Sequence, residues 1–424
     1  MNIELESQIL FAAKSLVGDR GFRRTSYDSG SIPEVVTAVC ASLLDVEVSA
    51  VGVEARSTDL FSLVDLGNPT VVYSSHYLEL IACIRRLFWL DIDSSKLQAM
   101  SRSLFLEVLA EKIARRGHTD LATRLYLESW AGDEPRIFTR ERLSTDALDA
   151  GAPVDGSSLF LAISFHLAHE LGHFVDLGSG AHDFAQVAQA ELPGAIRKAT
   201  ASTLGKAKQE ELIEFALNDP NGPLSPDHIG EELKADSFAL VAMIQCLADD
   251  TSGGDEGRFN AFVLAYEVTT QLCVISWLER VEAQSHQWSA EKTDLERMSL
   301  MYRSAAMSLR AERLIAAFRI VVPQLAQVDA PDPILDEQSP IGSALAAAIE
   351  AVNARAIDLN EGVETALHAL YTPSSRTDDL VRLGEASVRA TDTSRFVRDA
   401  RAYCDIAAQH GDGVMLAALR NMLR

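Results

Sequence analysis

The stretch "FHLAHELGHFVD", Phe165 to Asp176, sets two histidines four residues apart around a glutamate inside an apolar run. Leu167, Ala168, Leu171, Phe174 and Val175 give the surrounding segment, Ser158 to Asp176, a helical period. On a helix, positions i and i+4 lie one above the other, so His169 and His173 present two imidazoles to one side. Zinc takes such nitrogens at about 2.0–2.1 Å, and this spacing lets both converge on one ion. Glu170 projects about 100° around the helix from His169, beside the ion rather than on it. There a carboxylate can accept a proton from a water on the metal.

The apolar surroundings bury the polar trio, and buried polar groups need partners. A metal supplies them; backbone carbonyls around two core histidines are the plainer alternative. Gly172, between the histidines, disfavours a helix by about 1 kcal/mol, which marks a place where another backbone or a substrate comes close. Asp155 or Ser157/Ser158 is the expected cap at the start of the helix, and Asp176 the residue that closes or solvates its end. His166 lies on the histidine face one turn earlier and reads as a core or supporting residue, not a ligand.

A zinc site of this type needs a third protein ligand, and "HIGEELKADSFAL", His228 to Leu240, carries the best candidate. Glu232 and Asp236 are again i and i+4 on one face. That face continues into Ala239, Leu240 and Met243, so it points inward, where an unpaired carboxylate is costly. Glu232 is assigned as the third ligand and Asp236 as the acceptor that holds a zinc histidine by its other ring nitrogen. The fourth position is left for water. Glu231 competes for the ligand role, but its i+4 neighbour is Ala235; a solvated acidic face is the bland reading of the whole run. A donor for an oxyanion is also expected, and His228, His182, Tyr266 and Tyr302 can each supply one, with no spacing to choose among them.

The whole chain is consistent with a large globular protein: 424 residues, 47% apolar, formal charge −23. That charge, without a Lys/Arg stripe, excludes nucleic acid as an expected partner. The longest apolar runs are too short or too interrupted to span a bilayer, so no membrane insertion is expected. The start, with Glu4 and Glu6 before its apolar stretch, lacks the pattern of a secretory signal and reads as mature cytoplasmic sequence. Five scattered cysteines without CxxC spacing read as reduced and buried.

Helical periods recur through Tyr77 to Trp89, Lys96 to Arg115, Glu231 to Leu247, Arg258 to Arg280 and Ala290 to Val322. Strand signals are confined to "VEVSAVGVEA", Val46 to Ala55, and "TVVYS", Thr70 to Ser74. The expected fold class is therefore α+β, mainly α-helical, with a small β-sheet beside the active-site helix and added helical segments. A Pro-rich stretch at 329–343 divides the chain into an expected core, 1–330, and a linker with helical C-terminal region, 331–424.

His169-Glu-x-x-His173 followed by Glu232-x-x-x-Asp236 resembles the gluzincin class of zinc metallopeptidases. "AHELGH" with "ExxADxFA" is similar to the ImmA/IrrE-type peptidases. "NPTVVYSSHYLELI" before the motif resembles the strand-then-helix segment of HtpX-type and CAAX-processing peptidases. The Lit-type bacterial phage-exclusion peptidases are similar in being soluble HExxH proteins with helical additions. The resemblance implies a zincin-like core, a Zn2+ cofactor, and hydrolysis of a peptide bond in a cytoplasmic protein or peptide, in a regulatory, defence or stress-response role. In that scheme Glu170 is the general base and zinc polarises the scissile carbonyl. A sheet-edge strand aligns the substrate, and "TVVYS" is the expected edge. The two rival readings are another zinc-dependent amide hydrolase and a noncatalytic helical interaction protein with a structural metal site. Oligomeric state has no signal in the sequence.

Overall fold

The computed structural model describes residues 23–24, 32–54, 61–63, 68–90, 92–116, 118–130, 156–175, 179–220, 222–248, 255–286, 294–325 and 340–371. Asp155, Asp176, Cys404 and most of the 329–343 stretch lie outside them, as does the side chain of His182. The elements, in order, are β1 (Arg23–Arg24), α1 (Ile32–Leu44), β2 (Ser49–Glu54), β3 (Phe61–Leu63), β4 (Thr70–Ser74), α2 (Ser75–Trp89), α3 (Ser94–Arg115) and α4 (Thr119–Trp130). They continue with α5 (Gly156–Gly172), α6 (Ser179–Thr200), α7 (Lys206–Asn218), α8 (Pro226–Ala248), α9 (Asp255–His286), α10 (Asp294–Met301), α11 (Arg303–Leu325) and α12 (Pro340–Tyr371). The described protein is mainly helical with a small sheet, and among these residues no helix is long and apolar enough to cross a membrane.

The chain divides into two compact units, one of residues 1–85 and 153–353, the other of 86–152 and 354–424. In the first, the sheet has strand order β1-β2-β4-β3; β2 and β4 are parallel, and the flanking pairs are antiparallel. "TVVYS" is therefore an internal strand, contrary to the expected edge. Its five residues are all buried, which is why a β-branched run reads as a strand yet belongs between two neighbours. Of the two outer strands, β3 lies against α5.

Helix α8 is the hub of this unit and packs against α5, α6, α11 and α1. Two glycines allow the closest approaches. A Cβ on Gly172 of α5 would stand 2.7 Å from Ala235 Cα of α8, and one on Gly230 of α8 would stand 2.8 Å from Ala185 Cα of α6. Both are shorter than side chains tolerate, so the missing Cβ brings the helix axes together. Leu192, Ile196, Leu212, Leu224, Leu233 and Leu309 form a buried core cluster where α6, α7, α8 and α11 meet. The period running through Ala290 to Val322 is broken at Tyr302 into α10 and α11.

The second unit pairs α3 with α4 and with the C-terminal half of α12. Asp93 caps α3 by accepting from the backbone N–H of Lys96 at 2.9 Å. Ser101 donates to the carbonyl of Leu359 at 2.8 Å, and Arg355 donates to the carbonyls of Ile92 and Leu90 at 3.0 and 2.6 Å.

Candidate metal centre

α5 ends at Gly172, so His173 sits in the turn just past the last helical residue, not inside a helix running to Asp176. Phe174 and Val175 close that turn by donating to the carbonyls of Leu171 and Gly172, both at 3.1 Å. The i, i+4 geometry survives: the rings of His169 and His173 are 5.0 Å apart, edge to face at 86°. One donor atom from each of His169, Glu170 and His173 falls within a 4.8 Å group. His169 is 7% exposed and buried, whereas Glu170 and His173 are half-buried and open toward solvent.

The close approach of α8 at Gly172 delivers the second motif. Glu232 Oε2 lies 3.4 Å from His169 Nε2, and its Oε1 lies 4.0 Å from His173 Nε2. Two ligands held by one tetrahedral zinc stand about 3.3 Å apart, given bond lengths of about 2.0–2.1 Å. His, His and Glu are donors that zinc accepts, but Glu232 nears each histidine with a different oxygen, and the donor atoms that fall within one 4.8 Å group are those of His169, Glu170 and His173. An ion at His169, His173 and Glu232 would need one Glu232 oxygen to turn toward both rings. Asp236 Oδ1 lies 3.0 Å from His169 Nδ1, an ion-pair distance whose angle falls short of a hydrogen bond, while Nε2 of the same ring is on the Glu232 side. Glu231, the competing carboxylate, is largely exposed and pairs with Lys234. Lys234 also donates to the carbonyl of His173 at 3.4 Å, tying α8 to the turn.

The structure sorts the expected donors. His228 Nε2 lies 3.9 Å from Glu232 Oε1, and the side chain is 38% exposed, beside the centre. Tyr302 directs its hydroxyl to Thr203 Oγ1 at 2.9 Å. Tyr266 is buried in α9.

Arg310 of α11 is absent from the sequence-based set. Its Nε and Nη2 donate to Asp236 at 2.7 and 2.8 Å, and its Nη1 lies 2.9 Å from Glu232 Oε2. Glu279 of α9 stands 3.8 Å from the same Nη1 and 3.4 Å from Arg303 Nη2. The signal for Arg310 was present: it lies between Ala306 and Leu314, four residues to either side and both buried, so it occupies an apolar face where a charge must be paired.

Electrostatics follow from these contacts. Burial opposes a charge on His169, but the Asp236 and Glu232 carboxylates outweigh it and raise the imidazole to about 10 in the metal-free protein. Burial, then the charge of His169, lowers His173 to about 4. Burial would raise Glu232 and Asp236, yet Arg310 and His169 hold both below the usual carboxylate range. Burial raises Glu279 despite the two arginines.

His166, one turn before His169, takes part in a separate network. Arg85 donates twice to Glu267, at 2.8 and 2.6 Å, and Gln271 Nε2 donates to Glu267 Oε2 at 3.3 Å. That leaves Gln271 Oε1 to accept from His166 Nε2 at 3.0 Å, and His166 Nδ1 to accept from the Tyr77 hydroxyl at 3.2 Å. Both nitrogens are thus engaged by neutral partners, in keeping with a supporting residue and not a ligand.

No family model matches the chain, and no curated protein or solved structure matches it either.

Proposed function

We propose that this protein is a zinc-dependent peptidase with a zincin-like core, acting on a protein or peptide. The observation that carries the reading is the meeting of two distant motifs at Gly172 and Ala235, where Glu232 faces both histidines while Asp236 takes the far nitrogen of His169. His169, His173 and Glu232 would hold the ion. Bound there, zinc supplies Lewis acidity toward a carbonyl and acidifies water.

The chain's own residues supply the remaining parts. Glu170, half-buried beside the two histidines, is placed to accept a proton at its carboxylate and to return it to a leaving amine. His228 is the half-exposed side chain best placed to donate a hydrogen bond to a developing oxyanion. The outer strand β3, packed on α5, takes over the aligning role first given to β4. The half-exposed Glu170 and His173 leave a route for substrate, while Asp236 and Arg310 stay inside.

One observation favours a second reading, a noncatalytic helical protein without a metal. Arg310 already pairs with both Asp236 and Glu232, so these buried carboxylates have a partner in any case. Zinc content decides between the two. The peptidase reading expects one zinc per chain in the unchanged protein and in Glu170→Gln. It also expects cleavage of an unstructured peptide library to fall about 10²–10⁴-fold in the variant. Absence of zinc, or cleavage undiminished by the substitution, overturns it.

A further inference from the structure

Arg310 is 2% exposed, and burying a guanidinium costs several kcal/mol before its partners compensate. If its task were only to tie α11 to α8, well-packed apolar side chains would do so at least as well. Its contacts point to a narrower task. Asp236 Oδ1 accepts from Arg310 Nη2 at 2.8 Å and lies 3.0 Å from His169 Nδ1. Glu232 Oε2 stands between Arg310 Nη1 and His169 Nε2, at 2.9 and 3.4 Å, which leaves Oε1 on the His173 side. A single planar fork thus spans two carboxylates one helical turn apart. Lysine, with one ammonium and no fixed fork, cannot reproduce that.

We propose that Arg310 is a positioning residue for the metal centre: it fixes the orientation of Glu232 and Asp236, and thereby sets how tightly and in what geometry the His169–His173–Glu232 set holds a divalent ion. This rests on the zinc reading above. Arg310 does not touch substrate; it acts through the two carboxylates. With Glu232 Oε2 tied, the carboxylate offers one oxygen to the histidine pair instead of rotating between both.

Cobalt(II) is the probe, because its visible absorption reports coordination number and donor geometry at a zinc-type site. Metal-free wild-type protein, Arg310→Met and Arg310→Lys are titrated with cobalt, with far-ultraviolet circular dichroism and thermal melting as controls for folding. The expected result is one cobalt per wild-type chain, affinity about 10–100-fold weaker in Arg310→Met, and an altered band shape or intensity. Arg310→Lys falls between the two in affinity, also with an altered spectrum. A purely structural Arg310 would lower the melting temperature while affinity and spectrum stay as in wild type, and that outcome overturns the proposal. If Arg310→Met does not fold, Arg310→Lys decides alone: wild-type affinity and spectrum overturn the proposal, weaker binding with a changed spectrum supports it. Wild-type protein that takes up neither cobalt nor zinc removes the metal reading itself, and this inference with it. One bound ion with unaltered variants removes only the role of Arg310.

Discussion

His166 and His169 stand three residues apart on α5, both buried, and they face opposite chemistry. His166 has only neutral hydrogen-bond partners, Tyr77 and Gln271, and burial lowers its imidazole to about 3. His169 is also buried, yet the Asp236 and Glu232 carboxylates overcome that burial and raise it to about 10. The difference does not come from α5 itself. It comes from what stands opposite: α2 and α9 bring a hydroxyl and an amide to the first ring, while α8 brings two carboxylates to the second, each also held by Arg310. A buried histidine becomes a metal-ligand candidate when a carboxylate orients it, and a neutral core residue when an amide does.

Breaking the charged half of this contrast should have the largest effect. Asp236→Asn removes the oriented acceptor from His169 and leaves Arg310 with one fewer charged partner. Zinc affinity is expected to fall about 10–100-fold, and stability by about 3–5 kcal/mol, read by metal titration and by urea unfolding of the metal-free protein. Unchanged values in both measurements would remove Asp236 from the centre.

Breaking the neutral half should cost less and leave the metal alone. Gln271→Leu strands the Nε2–H of His166 in the core, a loss of about 1–3 kcal/mol for a buried donor without an acceptor. Zinc stoichiometry and affinity should stay as in the unchanged protein. Loss of zinc from a folded Gln271→Leu variant would show that the two networks are one.

The pH dependence of His166 sharpens the contrast further. Its folded pKa lies below its ordinary value of 6.5, so on acidification the unfolded chain binds a proton first. Its contribution to stability is complete above pH 6.5 and is lost as the pH falls toward about 3, at about 1.4 kcal/mol per pH unit for this one group. Carbon-13-labelled histidine offers a direct check by NMR: the His166 ring should remain neutral from pH 8 to pH 5. A midpoint near the ordinary value would contradict the network drawn around it.

Much of the site was legible because it is local. The helical period of α5, the i, i+4 spacing of His169 and His173, and the second pair Glu232 and Asp236 are patterns within a few turns, set by backbone geometry that neighbours need not supply. Gly172 could be read as a close approach for the same reason, since a helix carries that residue at a cost; the structure shows that the approaching backbone is Ala235. The expected edge strand failed for a complementary reason. "TVVYS" announces a buried strand, but which strands flank it is set by chain far along the sequence, and β3 closes its free side.

Arg310 and the Tyr77–His166–Gln271 network mark the limit of such reading. Each joins side chains separated by 74 to 105 residues, and no periodicity within one segment encodes its partner across the core. The sequence by itself determined that the chain is mainly helical, and it singled out the candidates for metal ligand and proton acceptor, because helical spacing and side-chain chemistry are local properties. Only the tertiary structure decided which histidine faces carboxylates and which faces an amide, and that a buried arginine holds the acidic pair. Those outcomes depend on how helices distant in sequence pack, and in a low-dielectric interior the facing group settles the charge.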